Sequence, residues 1–223
     1  MSGVVMDHHE FNAALLPSGC NPLTEVVELS SGRSQKGHTM SIKTRATIED
    51  LYKVEGKAEL VNGEIVEMPP AGEDPGAARV EIVVSLHGYA RRTGQGRVFG
   101  DGVGFHVNLP HRDSLSPDAA YHVGPRMGMR FAEGAPVFAV EVRSENDYGP
   151  AAEQAMQAKR NDYFACGTLV VWDVDLLSPD VVKVYRASDP DHPTIYRRGE
   201  IAEAEPAVPG WWMPVDDVFG VVS

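Results

Sequence analysis

Val137-Phe138-Ala139-Val140-Glu141-Val142-Arg143-Ser144 decides how this chain is read. The run is apolar and rich in β-branched residues, the composition of a buried strand. Alternate side chains of a strand share a face. Val137, Ala139, Glu141 and Arg143 therefore point one way, and Phe138, Val140 and Val142 the other. A carboxylate and a guanidinium on one face of a buried strand must be paired, metal-bound or functional, because burying either charge alone is costly.

Downstream, Pro150 and Gly167 bracket a helix, the proline in its first turn and the glycine just past its end. Ala152, Met156, Lys159, Tyr163 and Cys166 recur at helical spacing and form the stripe that must cover the sheet. Gln157, Arg160 and Asp162 fall on the solvated side. Lys159 stands at the centre of the stripe. It either snorkels along the apolar face to water or serves a site. Upstream, Ser116-Pro117-Asp118 opens a short strand, Ala119 to Val123. Asp118, Glu141, Arg143 and Lys159 thus place two acids and two cations on adjacent elements, which favours function.

The bulk properties set bounds. A chain of 223 residues suggests one domain, or one domain plus a tail. Its 43% hydrophobic content is ordinary for a globular protein with a sizeable core. No apolar run is long enough to cross a membrane, and the first residues lack a secretory pattern. Cys20 and Cys166 have no metal-type spacing, so free thiols in a reducing, cytoplasmic setting are expected. The formal net charge of −12 argues against tight, non-specific binding to a nucleic-acid backbone, though not against brief catalytic contact.

Residues 1–40 show no sustained period and read as a flexible tail. Asp7-His8-His9-Glu10 is a polar stretch with chance histidines rather than a metal cluster. A single domain is expected over residues 41–223. Thr47 has the look of an N-cap, with Asp50 three residues on. Ala58 to Met68 is a β-hairpin turning on Asn62-Gly63. Gly76 to Arg92 is a helix whose Ile82, Leu86 and Tyr89 make one stripe, while Val80, Val83 and Val84 spread apolar surface around it. A helix apolar on several sides implies a second partner, so a homodimer is expected. Strands follow around Arg97–Gly100 and Val103–Leu109, then a polar loop through His111-Arg112-Asp113. Gly124 to Gly134 is a loop. Thr168 to Asp175 is a buried strand, Val181–Arg186 and Thr194–Arg197 a closing hairpin, and Trp211-Trp212 a cap on the core. The order implies an α/β fold, a mixed sheet with helices over its faces.

Ala58-Glu59-Leu60-Val61-Asn62-Gly63-Glu64-Ile65-Val66, Ser116-Pro117-Asp118, Val140-Glu141-Val142-Arg143-Ser144 and Lys159-Arg160-Asn161-Asp162-Tyr163 stand in an order that resembles the Uma-two family of bacterial restriction-endonuclease-type proteins, a branch of the PD-(D/E)XK nuclease superfamily. The resemblance covers roughly residues 40–219. It implies a restriction-endonuclease-like core and a Mg²⁺-dependent endonuclease acting on DNA. Asp118 and Glu141 match the superfamily's two acids and would hold Mg²⁺ or Mn²⁺. Arg143 stands where a lysine is usual; it cannot act as a base but can steady a phosphate. Lys159 would supply the ammonium. Glu59 and Glu81 are both candidates for an additional acid.

The chemistry agrees with this reading. Phosphodiester hydrolysis needs an activated water and neutralised phosphate oxygens, and Mg²⁺ takes hard oxygen ligands. Two readings compete with it: a buried ion pair of Glu141 with Arg143 or Lys159 that specifies packing, and a catalytically inactive, homodimeric interaction module. A sugar or nucleotide enzyme finds no support, because Gly100-Asp101-Gly102-Val103-Gly104 lacks the lysine of a phosphate loop. His87, His106, His111 and His122 show no ligand spacing, although His122 could share the Asp118 face. If two unpaired acids await a metal, Asp118→Asn should leave the metal-free protein at least as stable.

Overall fold

The computed structural model describes residues 45–220. The expected tail, with Cys20 and Asp7-His8-His9-Glu10, lies outside the described residues. Helix α1 (Ile48–Leu51) opens the described chain, with Thr47 and Asp50 closing a reciprocal capping box. A hairpin of β1 (Ala58–Val61) and β2 (Glu64–Glu67) follows. Its two turn residues, Asn62 and Gly63, both have positive φ, 55° and 74°. That geometry suits the right-handed twist of paired strands and explains why Asn-Gly stands there.

Helix α2 (Glu73–Thr93) starts three residues earlier than expected and ends at Gly94 in the left-handed conformation. Then come β3 (Arg97–Gly100), β4 (Phe105–Leu109), β5 (Arg112–Leu115), β6 (Ala119–His122), β7 (Ala132–Glu133) and β8 (Phe138–Val142). The expected polar loop at Arg112-Asp113 is the start of β5. Helix α3 (Pro150–Ala165) connects β8 to β9 (Val170–Val174). The chain closes with β10 (Val182–Arg186), β11 (Asp189–Tyr196), β12 (Ile201–Glu203), β13 (Trp212–Pro214) and a 3₁₀ turn over Val215–Phe219.

The strands form two large sheets and a small ribbon, where the sequence suggested a single mixed sheet. The main sheet runs β11-β10-β9-β8-β6-β3, the second β2-β1-β5-β4-β7, and β12 pairs β13. Strands β8 and β9 are parallel, with α3 as their crossover; β6 and β8 are antiparallel. The alternation along β8 holds. Phe138, Val140 and Val142 pack with Ile82, Leu86 and Tyr89 of α2 and with the C-terminal segment. Ala139 packs on the opposite side with Tyr163 of α3 and with Phe105 and Leu115 of the second sheet. Val137, expected on the Glu141 side, precedes the strand and packs with the Phe138 cluster. Trp211 is buried beside Trp172, with ring centroids 5.0 Å apart, whereas Trp212 is exposed. Only one of the two tryptophans caps the core.

The valines of α2 divide. Val83 packs against the core, but Val80 and Val84 are 59% and 60% exposed.

Candidate active site

Asp118 directly precedes β6 and is bound to β8 on both sides of Glu141. Its N–H donates to the Val140 carbonyl at 2.9 Å, and the Val142 N–H donates to its Oδ2 at 2.7 Å. Asp118 is 2% exposed. Burying this carboxylate is tolerable because two cations reach its Oδ1: Lys57 Nζ at 2.5 Å and Arg79 at 3.2 Å. Both also reach Asp101, at 2.8 and 3.1 Å. Lys57, Asp101, Arg79 and Asp118 thus close a four-membered ring of alternating charge, with Asp118 at its buried end and Asp101 at its exposed end.

Glu141 stands on the neighbouring strand, β8. Tyr163 donates to its Oε1 at 2.6 Å, and Lys159 Nζ lies 3.0 Å from the same oxygen. This leaves Oε2 without a bonded partner among the described residues. Burial pushes the Glu141 carboxyl above its ordinary range, and the charges of Asp118 and Glu59 add to the rise. Lys159 is pushed up despite its burial by the charges of Glu141 and Glu59 and remains an ammonium. Tyr163, buried beside the same acids, holds its proton firmly.

Of the two candidate additional acids, Glu59 is brought in and Glu81 is not. Glu59 Oε1 accepts the Ser116 N–H at 2.8 Å and lies 3.0 Å from Lys159 Nζ. Its Oε2 pairs with Arg112, whose Nε donates to Asp162 at 2.6 Å. Asp162 also meets His111 at 2.8 Å. A chain of charge therefore runs from Lys159 through Glu59, Arg112 and Asp162 to the surface. Asp162, expected in solvent, is buried in this chain.

Arg143 is placed beside the acids but committed elsewhere. Its Nε and a terminal nitrogen each lie 2.8 Å from the Asp173 carboxylate, and it also pairs with Glu153. Arg160, also expected in solvent, reaches Asp173 at 3.3 Å and stacks over Tyr185. His122 shares the face of Asp118 but is buried against Phe99 and Phe105, with neither ring nitrogen bonded. Its burial lowers its pKa and keeps it neutral.

Asp118, Glu141, Arg143 and Lys159 line one cavity of about 780 Å³ together with Lys57 and Arg79. The sequence reading missed those two cations, yet both carry a signal. Lys57 precedes Glu59 by two residues and so shares its face. Arg79 stands three residues before Ile82 and seven before Leu86, on the buried stripe of α2. Among the described residues, no group of three or more His, Cys, Asp or Glu side chains forms a ready metal cage.

The fold is mixed α/β, and it brings Asp118, Glu141 and, from the crossover helix, Lys159 to one cavity. The family model described as "putative restriction endonuclease", Uma2, matches residues 46–216, and the chain belongs to that family. The fold is similar to the crystal structure of a "putative nuclease" of the DUF820 family from Anabaena variabilis, with a TM-score of 0.60 at 17% identity, covering 78% of this chain and 97% of the other. Among curated proteins no relative matches the chain.

Proposed function

We propose that the cavity is the active site of a divalent-metal-dependent endonuclease that hydrolyses phosphodiester bonds in DNA. The observation that carries this reading is the convergence of Asp118 and Glu141 from adjacent strands, with Lys159 bonded to the second acid. The donor set fits Mg²⁺ or Mn²⁺: both ligands are hard oxygens, and both residues line the cavity. Asp118 and Glu141 would hold the ion, which supplies charge neutralisation and a more acidic bound water. Lys159, kept protonated, orients water or phosphate as a donor and does not take up a proton. Tyr163 fixes the Glu141 rotamer. Lys57 and Arg79 neutralise Asp118 and lie where they can attract a phosphate. Contact with DNA is brief, given the net charge of −12. The protein works in the cytoplasm as a homodimer joined through the outer face of α2.

The test pairs melting with cleavage. The wild type gains melting temperature with added Mn²⁺ and cleaves plasmid DNA. Glu141→Gln loses both, and Lys159→Met keeps the shift but loses cleavage. Absence of a metal-dependent shift in the wild type overturns the reading.

A second reading rests on one observation: both acids already have cation partners within the chain. The fold then serves as a catalytically inactive, homodimeric interaction module. It predicts no metal shift and a strong loss of stability in Glu141→Gln.

A further inference from the structure

The cavity is two-sided, and the site described above uses one side. Its floor is ionic: Lys57, Arg79, Lys159, Asp118 and Glu141. Its wall is apolar. Met68, Pro69 and Pro70 come from the loop before α2, Met156 from α3, and Leu176 and Leu177 from the turn after β9. Leu177 is 82% exposed, so the core does not account for its being apolar. Tyr148, in the loop between β8 and α3, also lines the cavity and is partly exposed. Its hydroxyl donates to Asp175 at 2.9 Å, and the Arg143 guanidinium lies 5.9 Å from its ring centroid. The ring is therefore anchored at its edge and offers a fixed aromatic surface.

We propose that this apolar wall is a nucleobase subsite, so that the site takes one unpaired nucleotide of a single-stranded or frayed nucleic acid rather than a phosphate on an intact duplex. The inference rests on the endonuclease reading for what happens on the floor, and not for what binds the wall. Three observations carry it. The cavity, about 780 Å³, is the size of a small-molecule site, roughly 300–1,000 Å³. Besides Asp173, which Arg143 holds, its lining includes four further acids, Glu73, Asp74, Glu145 and Asp147, against which the flanking phosphates of a duplex would be set. Asp118, at 2% exposure, lies deep in the floor, where a splayed nucleotide reaches more readily than the backbone of a rigid helix. Bases present an apolar π-face whatever their sequence, so an aromatic and aliphatic wall recognises them without reading them. The ionic floor then receives the phosphate on the same nucleotide.

The test uses a short fluorescent oligodeoxynucleotide, the same sequence as a blunt duplex, and its ribo counterpart. Binding is read by anisotropy in the presence of Mn²⁺ at low salt, and cleavage is read in parallel. The single strand is expected to bind about tenfold more tightly than the duplex or better. Tyr148→Ala and Leu177→Asp lose that preference, and Tyr148→Phe, which keeps the ring, retains it. Leu177 is on an exposed turn, so its variant reports on binding even if Tyr148→Ala fails to fold. Equal binding of single strand and duplex, no binding of either, or a preference unchanged in Leu177→Asp overturns the subsite. Equal cleavage of both substrates overturns it while leaving the endonuclease reading intact. Preferential binding of the single strand without cleavage supports the subsite and removes the endonuclease reading. A preference equal in the ribo strand supports recognition through the base. Binding confined to the ribo strand supports the subsite and moves the substrate from DNA to RNA.

Discussion

Asp118 is hydrogen-bonded to the backbone on either side of Glu141, accepting from Val142 and donating to Val140. The two acids are therefore held by the pairing of β6 with β8 and not by flexible side-chain packing. Any change at Asp118 is felt in the strand that carries Glu141.

Asp118→Asn lowers the stability of the metal-free protein. The sequence alone suggested the reverse, since two bare acids repel. The structure removes the premise of that expectation, because Lys57 and Arg79 are already paired with Asp118. Removing one partner of a buried pair costs roughly 3–5 kcal/mol. Here Asp101 keeps a hold on both cations, so the loss falls at or below the lower end of that range. Urea unfolding in EDTA measures it; an unchanged or higher midpoint for the variant would contradict the ring of charge.

Arg143→Ala destabilises the fold and does so mainly through Asp173. That carboxylate is 1% exposed and would be left with Arg160 alone. A loss of roughly 3–5 kcal/mol is expected. Arg143→Lys cannot restore the two-pronged contact and recovers only part of it. It also brings no gain in cleavage, because the side chain points to Asp173 and Glu153. A faster enzyme with an unchanged melting temperature would show that these pairs do not fix Arg143.

The pH dependence of stability carries a signature of Glu141. Burial raises its folded carboxyl above the ordinary glutamate range. The group therefore contributes most below that range, where it is protonated in both states. The contribution drains away as pH rises through the elevated folded value. Glu59, Asp101 and Glu153 are held low by their cations and act in the opposite sense, losing their contribution as pH falls. Denaturant titrations between the two regimes should show a falling segment in the wild type, in EDTA, that is absent in Glu141→Gln. The same slope in both proteins would assign it to another group.

The outer face of α2 is testable by association. Val80 and Val84 lie one turn apart and are more than half exposed. Val84→Glu is expected to leave the fold within about 0.5 kcal/mol of wild type, as surface changes do, and to shift light scattering from dimer to monomer. A wild type that is monomeric at working concentrations removes the proposal.

The sequence carried the parts of the fold that depend on local rules. The capping box at Thr47, the Asn62-Gly63 turn and the Pro150 start of α3 each follow from the conformations those residues favour. The period of two along β8 gave the correct face for Glu141, and the stripe on α3 gave Lys159. What stayed hidden was pairing across distance. Arg112 looks like a loop residue beside His111 and Asp113, and only the contact with Glu59 and Asp162 shows why its strand is buried. Asp162 and Arg160 have the spacing of a solvated helix face. The second sheet and Asp173 cover that face with charges, and no helical periodicity records them. The division of strands into two sheets was likewise a matter of register between distant segments.

The ring of Lys57, Asp101, Arg79 and Asp118, and the Glu141–Lys159 contact beside it, have a consequence for synthesis on the ribosome. These residues enter the chain in numerical order, and the last of them stands in α3. Lys57, Arg79 and Asp101 emerge early and can be present together while β8 is still inside the exit tunnel. Glu141 then needs β9 as its parallel neighbour, and β9 is made after α3. A nascent chain that has not reached Val174 therefore lacks the strand that fixes Glu141 in place. Whatever reaction the cavity performs, a product truncated before Val174 has separate pieces of the site and no assembled one.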